Sequence, residues 1–198
     1  MMEKDALREM YEAAMRLNTP DNDLYTVEPA PGEEAPYVKR WLLTYRGPTL
    51  VKRADGMIDR QTETVVRIDL YALEDGGFGM RAHVEEGLVP FHPNWFLSGL
   101  LANGQAWSKA TGLVEYIVFV CEILQFKAHR INLESPANAE AARYYAAHRD
   151  DAEAFPVDAR PVPVPEEPAS RKLRIRWGPD GKPTTEVVEG NPVPDETD

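Results

Sequence analysis

The side chains able to do chemistry are few, and most can be assigned to packing. The chain holds one cysteine, Cys121, and four histidines, His83, His92, His129 and His148. A thiolate is a strong nucleophile, so Cys121 is weighed first. It stands at helical spacing with Ile117, Val118 and Leu124. Such an apolar setting raises a thiol's pKa and leaves it inert, so core packing is the reading there. One cysteine also excludes an intramolecular disulfide and a multi-cysteine zinc site. The histidines lack metal-ligand spacing, and neither a zinc enzyme nor a Ser-His-Asp hydrolase has support. No cofactor is expected. What remains is the stretch 91–112, which has little periodicity and collects aromatic residues, glycines and Asn between ordered segments. Loops of this kind carry function more often than stability. It contains Phe91-His92-Pro93-Asn94, then Gly99, Ala102 and Trp107-Ser108.

The segments that must position this loop show clearer periods. Residues 3–17 place Leu7, Met10, Tyr11, Ala14 and Leu17 on one helical face, with charges opposite. Thr19-Pro20-Asp21-Asn22 ends that helix. Residues 24–37, rich in Pro and acidic side chains, read as a loop or irregular edge. Strands are expected over 38–45, ending at Arg46-Gly47-Pro48, over 64–73 and, more briefly, over 78–84. In the second, Val66, Ile68 and Leu70 alternate with Arg67 and Asp69. Glu74-Asp75-Gly76-Gly77 reads as the turn between the last two. Residues 113–126 are apolar on most sides, a buried helix too short for a membrane span. Ser135-Pro136 opens a last helix over 137–148, with Pro in its first turn. The pattern predicts an α+β domain over 1–155, a meander sheet packed on helices. A Pro-rich linker follows over 156–170 and a tail over 171–198. In the tail Leu173, Ile175 and Trp177 alternate with basic residues, and 184–188 can pair back as a hairpin. An isolated hairpin is marginal in water. The tail therefore docks on its own domain, adds as a strand to a partner, or stays largely disordered. That layout alone fits many functions.

The loop spacing is narrower in meaning. Gly99 follows Asn94 by five residues, position 102 follows it by eight, and Trp107-Ser108 lies beyond. This resembles the active-site signature of the ubiquitin-conjugating enzyme family. There a His-Pro-Asn is followed by Gly at plus five, the catalytic Cys at plus eight and a Trp-Ser leading into the next helix. Trp41-Leu42-Leu43-Thr44-Tyr45-Arg46-Gly47-Pro48 resembles the family strand that ends in Gly-Pro. Ser135-Pro136-Ala137-Asn138-Ala139-Glu140-Ala141-Ala142 resembles the opening of its later helix. The resemblance runs in consistent order over roughly residues 3–155, and implies the family's UBC-like fold. Two features depart from common eukaryotic members. The Pro-rich stretch before the His-Pro-Asn is replaced by residues 81–90, and the span from 102 to Trp107 is shorter. Both are similar to a divergent prokaryotic branch, encoded beside an activating enzyme, a ubiquitin-like protein and a deconjugating peptidase. The largest departure is Ala102, where the Cys is expected.

The resemblance implies an enzyme that accepts a ubiquitin-like modifier from an activating enzyme as a Cys thioester and passes it to an amine. The carrier must be nucleophile and leaving group, and thiolate is both. Alanine is neither, so the chain with Ala102 is unable to form that thioester. Asn94 is, by resemblance, the amide donor for the tetrahedral oxyanion. With equal weight, it holds its loop by bonding backbone, as turn Asn often does. His92 reads first as a lock on the loop through hydrogen bonds and only second as a proton carrier. Ser135 occupies the place of a family residue, often Asp, that flanks the incoming lysine; the plainer reading is a helix N-cap before Pro136. Two explanations of Ala102 stand. The natural protein has Cys there and the chain is a trap that cannot turn over, favoured because the surrounding motif is intact. Otherwise the chain is a natural inactive variant, a scaffold that binds a ubiquitin-like protein or its conjugation machinery. An interaction domain with no such link is the third class.

Bulk properties limit the partners. The net charge is −11 and hydrophobic residues make up 43% of the chain. That composition supports a globular core. The acidity argues against a nucleic-acid surface, which needs clustered Lys and Arg. No apolar run reaches membrane-span length, and the charged N-terminus lacks a signal-peptide core. A cytoplasmic protein is the expectation.

Overall fold

The computed structural model describes residues 2–73, 78–102, 112–151, 155, 160–164, 172–177 and 183–188. Helix α1 spans Met2–Met15. Its buried stripe, Leu7 and Ala14 with Leu17 just beyond, faces the main core, and Met10 and Tyr11 pack at its margin. The chain then enters strand β1, Tyr25–Pro29, so the expected loop over 24–37 is in part an edge strand. Tyr25 and Val27 point inward and are fully buried, which the surrounding Pro and Glu residues disguise in the sequence. Asn18 substitutes for a neighbouring strand: its Nδ2 donates to the Val27 carbonyl at 2.6 Å and its Oδ1 accepts the Val27 N–H at 2.9 Å. That pairing covers backbone groups an edge would otherwise leave open.

Strand β2 is Arg40–Tyr45, β3 is Thr49–Lys52, β4 is Ile58–Gln61, β5 is Thr64–Ala72 and β6 is Phe78–Glu86. The main sheet has order β1-β2-β5-β6, antiparallel throughout. Trp41, Leu43, Tyr45, Val66, Ile68 and Ala82 all project to one face and are fully buried. The period-2 alternation makes this unavoidable once the register is set. Helix α2, Leu113–Leu124, lies against that face with α1, and is buried on most sides as its composition requires. Cys121 is fully buried within it, and burial raises its thiol far above the ordinary value.

The β3–β4 hairpin is absent from the expected strands. Its strands are only four residues each and are joined by a turn with Gly56 at φ 88°. The turn, Asp55-Gly56, is the signal that could have found it. This hairpin builds a second, smaller core: Leu50 packs with Phe91, Phe126, Ala141, Tyr145 and Phe155. Helix α3 spans Ala139–His148. It starts later than expected, because Asn138, not Ser135, is the N-cap, accepting the Ala141 N–H at 3.0 Å. Pro136 therefore lies outside the helix. Lys52 of β3 pairs with Glu140 of α3 at 2.5 Å.

Helix α2 ends without the usual glycine. Phe126 adopts φ 57°. Its N–H bonds the Ile123 carbonyl at 2.8 Å, and the Lys127 N–H bonds the Glu122 carbonyl at 3.0 Å. This is the Schellman arrangement. A left-handed Phe costs about 1–2 kcal/mol, which burial against His92 and Phe155, at ring separations of 4.4 and 4.5 Å, offsets.

The compact unit runs Met1–Val164, and Pro165–Asp198 form a second unit. Residues 160–164 of the Pro-rich stretch lie along the first. Tyr25 Oη donates to the Pro163 carbonyl at 2.5 Å, Gln125 Nε2 to the Arg160 carbonyl at 3.0 Å, and Val162 packs on the main core. In the second unit, β7, Lys172–Trp177, pairs antiparallel with β8, Pro183–Val188. Residues 74–77, the expected turn, and 103–111, with Trp107 and Ser108, lie outside the described residues.

Candidate active site

The segment after β6 folds back as a tight hairpin that carries the singled-out residues. The Ala102 N–H donates to the Asn94 carbonyl at 2.8 Å. Trp95 stands opposite Leu101, and the Phe96 N–H bonds the Leu100 carbonyl at 2.9 Å. Gly99 closes the turn at φ 84°, a conformation that favours a residue without Cβ. The returning limb adds to the free edge of β6, through Leu101 N–H to Ala82 O and Val84 N–H to Gly99 O, both 2.9 Å. Trp95 and Leu101 plug into the main core. Position 102 is thus placed by the sheet, not by a free loop. Ala102 is itself half-buried.

His92 is fully buried. Its Nδ1 accepts the Asn94 N–H at 2.9 Å. This assigns the proton to Nε2, which is buried with no hydrogen-bond partner among the described residues. Burial lowers the ring's pKa to about 3. His92 is therefore neutral near pH 7, and its bond to the Asn94 N–H shapes the turn.

Asn94 is 6% exposed, and its amide bonds backbone at both ends. Nδ2 donates to the Arg130 carbonyl at 2.9 Å, and Oδ1 accepts the Asn132 N–H at 3.1 Å. An amide nitrogen carries two N–H groups, so among the described residues a second donor remains after the bond to Arg130. The neighbouring Pro93 carbonyl accepts the Asn138 N–H at 3.1 Å, tying the hairpin to the start of α3.

Ser135 is exposed and does not cap α3. It belongs to a turn organised by Asn132, whose Oδ1 accepts the Glu134 and Ser135 N–H groups at 3.1 and 2.9 Å and whose Nδ2 donates to the Ser135 carbonyl at 3.1 Å. His92, Asn94 and Ala102 are thus brought together directly. Ser135 joins them through Asn132, which sequence reasoning missed. The Asx-turn pattern Asn132-Leu133-Glu134-Ser135 was its signal. Arg130 was missed as well; its Nε pairs with Glu122 Oε2 at 2.6 Å. No local pattern marks that pair, because the partners sit on either side of a helix end.

Among the described residues no group of His, Cys, Asp and Glu could hold a metal ion, and no helix is long and apolar enough to cross a membrane. No protein-family model matches the chain, and no curated protein matches it. Among solved structures, the E2 domain of a Toxoplasma gondii ubiquitin conjugating enzyme is similar, with TM-score 0.47 and 15% identity over 75% of this chain and 89% of that one. A likeness of that extent leaves the residues of the 92–102 hairpin to carry the functional argument.

Proposed function

We propose that this chain is the scaffold of a modifier-conjugating enzyme in a catalytically dead form, with position 102 as the carrier site. The observation that supports it most is the 2.8 Å bond from the Ala102 N–H to the Asn94 carbonyl, which brings residue 102 directly opposite Asn94. With a cysteine there, its thiolate would attack the thioester on an activating enzyme. A new C–S bond would form and the activating enzyme's thiolate would leave. A target amine would then attack the same carbonyl, and the second N–H of Asn94 would donate to the oxyanion. The amine's ordinary pKa is about 10.4, and Ser135 flanks its approach. Alanine removes the first step and everything after it.

The test is thioester charging of the Ala102→Cys protein with a candidate activating enzyme, a ubiquitin-like modifier and ATP, beside the Ala102 chain. A thiol-sensitive adduct on the restored protein alone is the expected result. No adduct, combined with tight modifier binding by the Ala102 chain, would replace this reading with a non-catalytic scaffold.

A further inference from the structure

We propose that the Glu122–Arg130 ion pair is a positioning device that aims the Asn94 amide at the acyl group carried on position 102. The proposal rests on the reading of Asn94 as the oxyanion donor. Arg130 ends the short 3-10 turn Ala128–Arg130 that follows α2. Its guanidinium bonds Glu122 at 2.6 Å and lies over the Phe119 ring at 5.4 Å, so two residues of the buried helix hold it. The side chains are 28% and 19% exposed, which keeps solvent from screening the pair as it does at an open surface. The carbonyl of the same Arg130 receives Asn94 Nδ2. The Asn132 N–H fixes Oδ1. An amide held this way cannot flip without setting its oxygen against the Arg130 carbonyl. The direction of its second N–H is then set by where residue 130 is anchored. His129 also approaches Glu122, at 3.6 Å, but it is 62% exposed and pairs only when protonated, so it does not replace Arg130.

The step concerned is aminolysis. The amine nitrogen forms a bond to the thioester carbonyl carbon, and the carbonyl oxygen takes negative charge. On collapse the C–S bond breaks, the thiolate leaves on the carrier, and the amine's proton passes to solvent. A donor misplaced by a fraction of an ångström stabilises that oxygen less.

The test needs no partner protein. The thiol introduced by Ala102→Cys is S-acetylated with p-nitrophenyl acetate, Cys121 being buried and silent. Discharge to free lysine is then timed. Arg130→Ala and Glu122→Gln are expected to slow it about tenfold, with Arg130→Lys between, because an ammonium lacks the planar fork. In an Asn94→Ala background the same changes are expected to add nothing. Equal slowing in both backgrounds would show a general structural role and overturn the proposal. So would unchanged discharge in Arg130→Ala while Asn94→Ala is slow. If Asn94→Ala itself discharges normally, the reading of Asn94 falls and takes the positioning role with it.

Discussion

A buried neutral histidine leaves a mark on stability that can be measured without any partner. His92 has its pKa lowered by burial from 6.5 to about 3. The unfolded chain binds a proton below about pH 6.5 that the folded chain refuses. Stability is therefore full above that pH and is lost as pH falls towards 3, by about 1 kcal/mol per pH unit. Glu33 acts in the same direction but lower. Burial opposes its charge, yet the bonds from the Lys39 and Arg40 backbone and the Arg40 side chain outweigh it and depress the carboxyl, so its contribution is lost only under more acidic conditions. Urea unfolding at pH 7.5 and 5.5, compared between the parent and His92→Asn, separates His92 from the other three histidines. The loss between those conditions is expected in the parent and nearly absent in His92→Asn, whose Oδ1 can still accept the Asn94 N–H. An equal loss in both would remove His92 as its source. The residues singled out at this site were legible through the family motif they resemble. Their hydrogen-bond partners were not, since Arg130 and Asn132 reach Asn94 across a gap that no local pattern encodes.

At the scale of elements, what the sequence displayed depended on burial. Strands β2 and β5 were visible because one face of each is fully apolar and the other is not. Strand β1 was hidden because only Tyr25 and Val27 of its five residues are fully buried and the rest is Glu, Thr and Pro. The start of α3 was misplaced because Pro136 offered a stronger local cue than Asn138. Asn138→Ala removes the side-chain cap on the Ala141 N–H and is expected to lower unfolding free energy by about 1 kcal/mol. Ser135→Ala is expected to change it by less than about 0.5 kcal/mol. The reverse order in chemical denaturation would restore Ser135 as the cap. Gly99→Ala is expected to cost about 1–2 kcal/mol, since alanine at φ 84° is strained while its Cβ would meet Val89 Cγ2 only at 3.6 Å. A loss beyond that range would point to a steric clash instead of backbone strain.

At the scale of the whole chain, the question is where the folded body stops. Composition shifts at Phe155, where prolines begin, and that shift predicts a domain boundary. Yet residues 160–164 contact the body through hydrogen bonds and an ion pair. Gln125 is completely buried, and its Nε2 depends on the Arg160 carbonyl. Tyr25, likewise buried, donates its hydroxyl to Pro163. Arg160 pairs with Asp23 at 3.2 Å and donates to the Arg46 carbonyl at 3.3 Å. Proline suits such a segment, because its backbone has few donors to satisfy and little chain entropy to lose on docking. Removing the segment strands the buried amide and hydroxyl groups, each costing about 1–3 kcal/mol when left without a partner or rehydrated at the expense of packing. A chain ending at Val164 is therefore expected to unfold within about 0.5 kcal/mol of the full sequence, since it keeps the whole of the first unit. A chain ending at Phe155 is expected to lose about 2 kcal/mol or more, and both are comparable by urea denaturation. If the two shortened chains are equally stable, residues 160–164 are only a tether. If the shorter one is weaker, Pro161 and Pro163 belong to the body, which then extends to Val164.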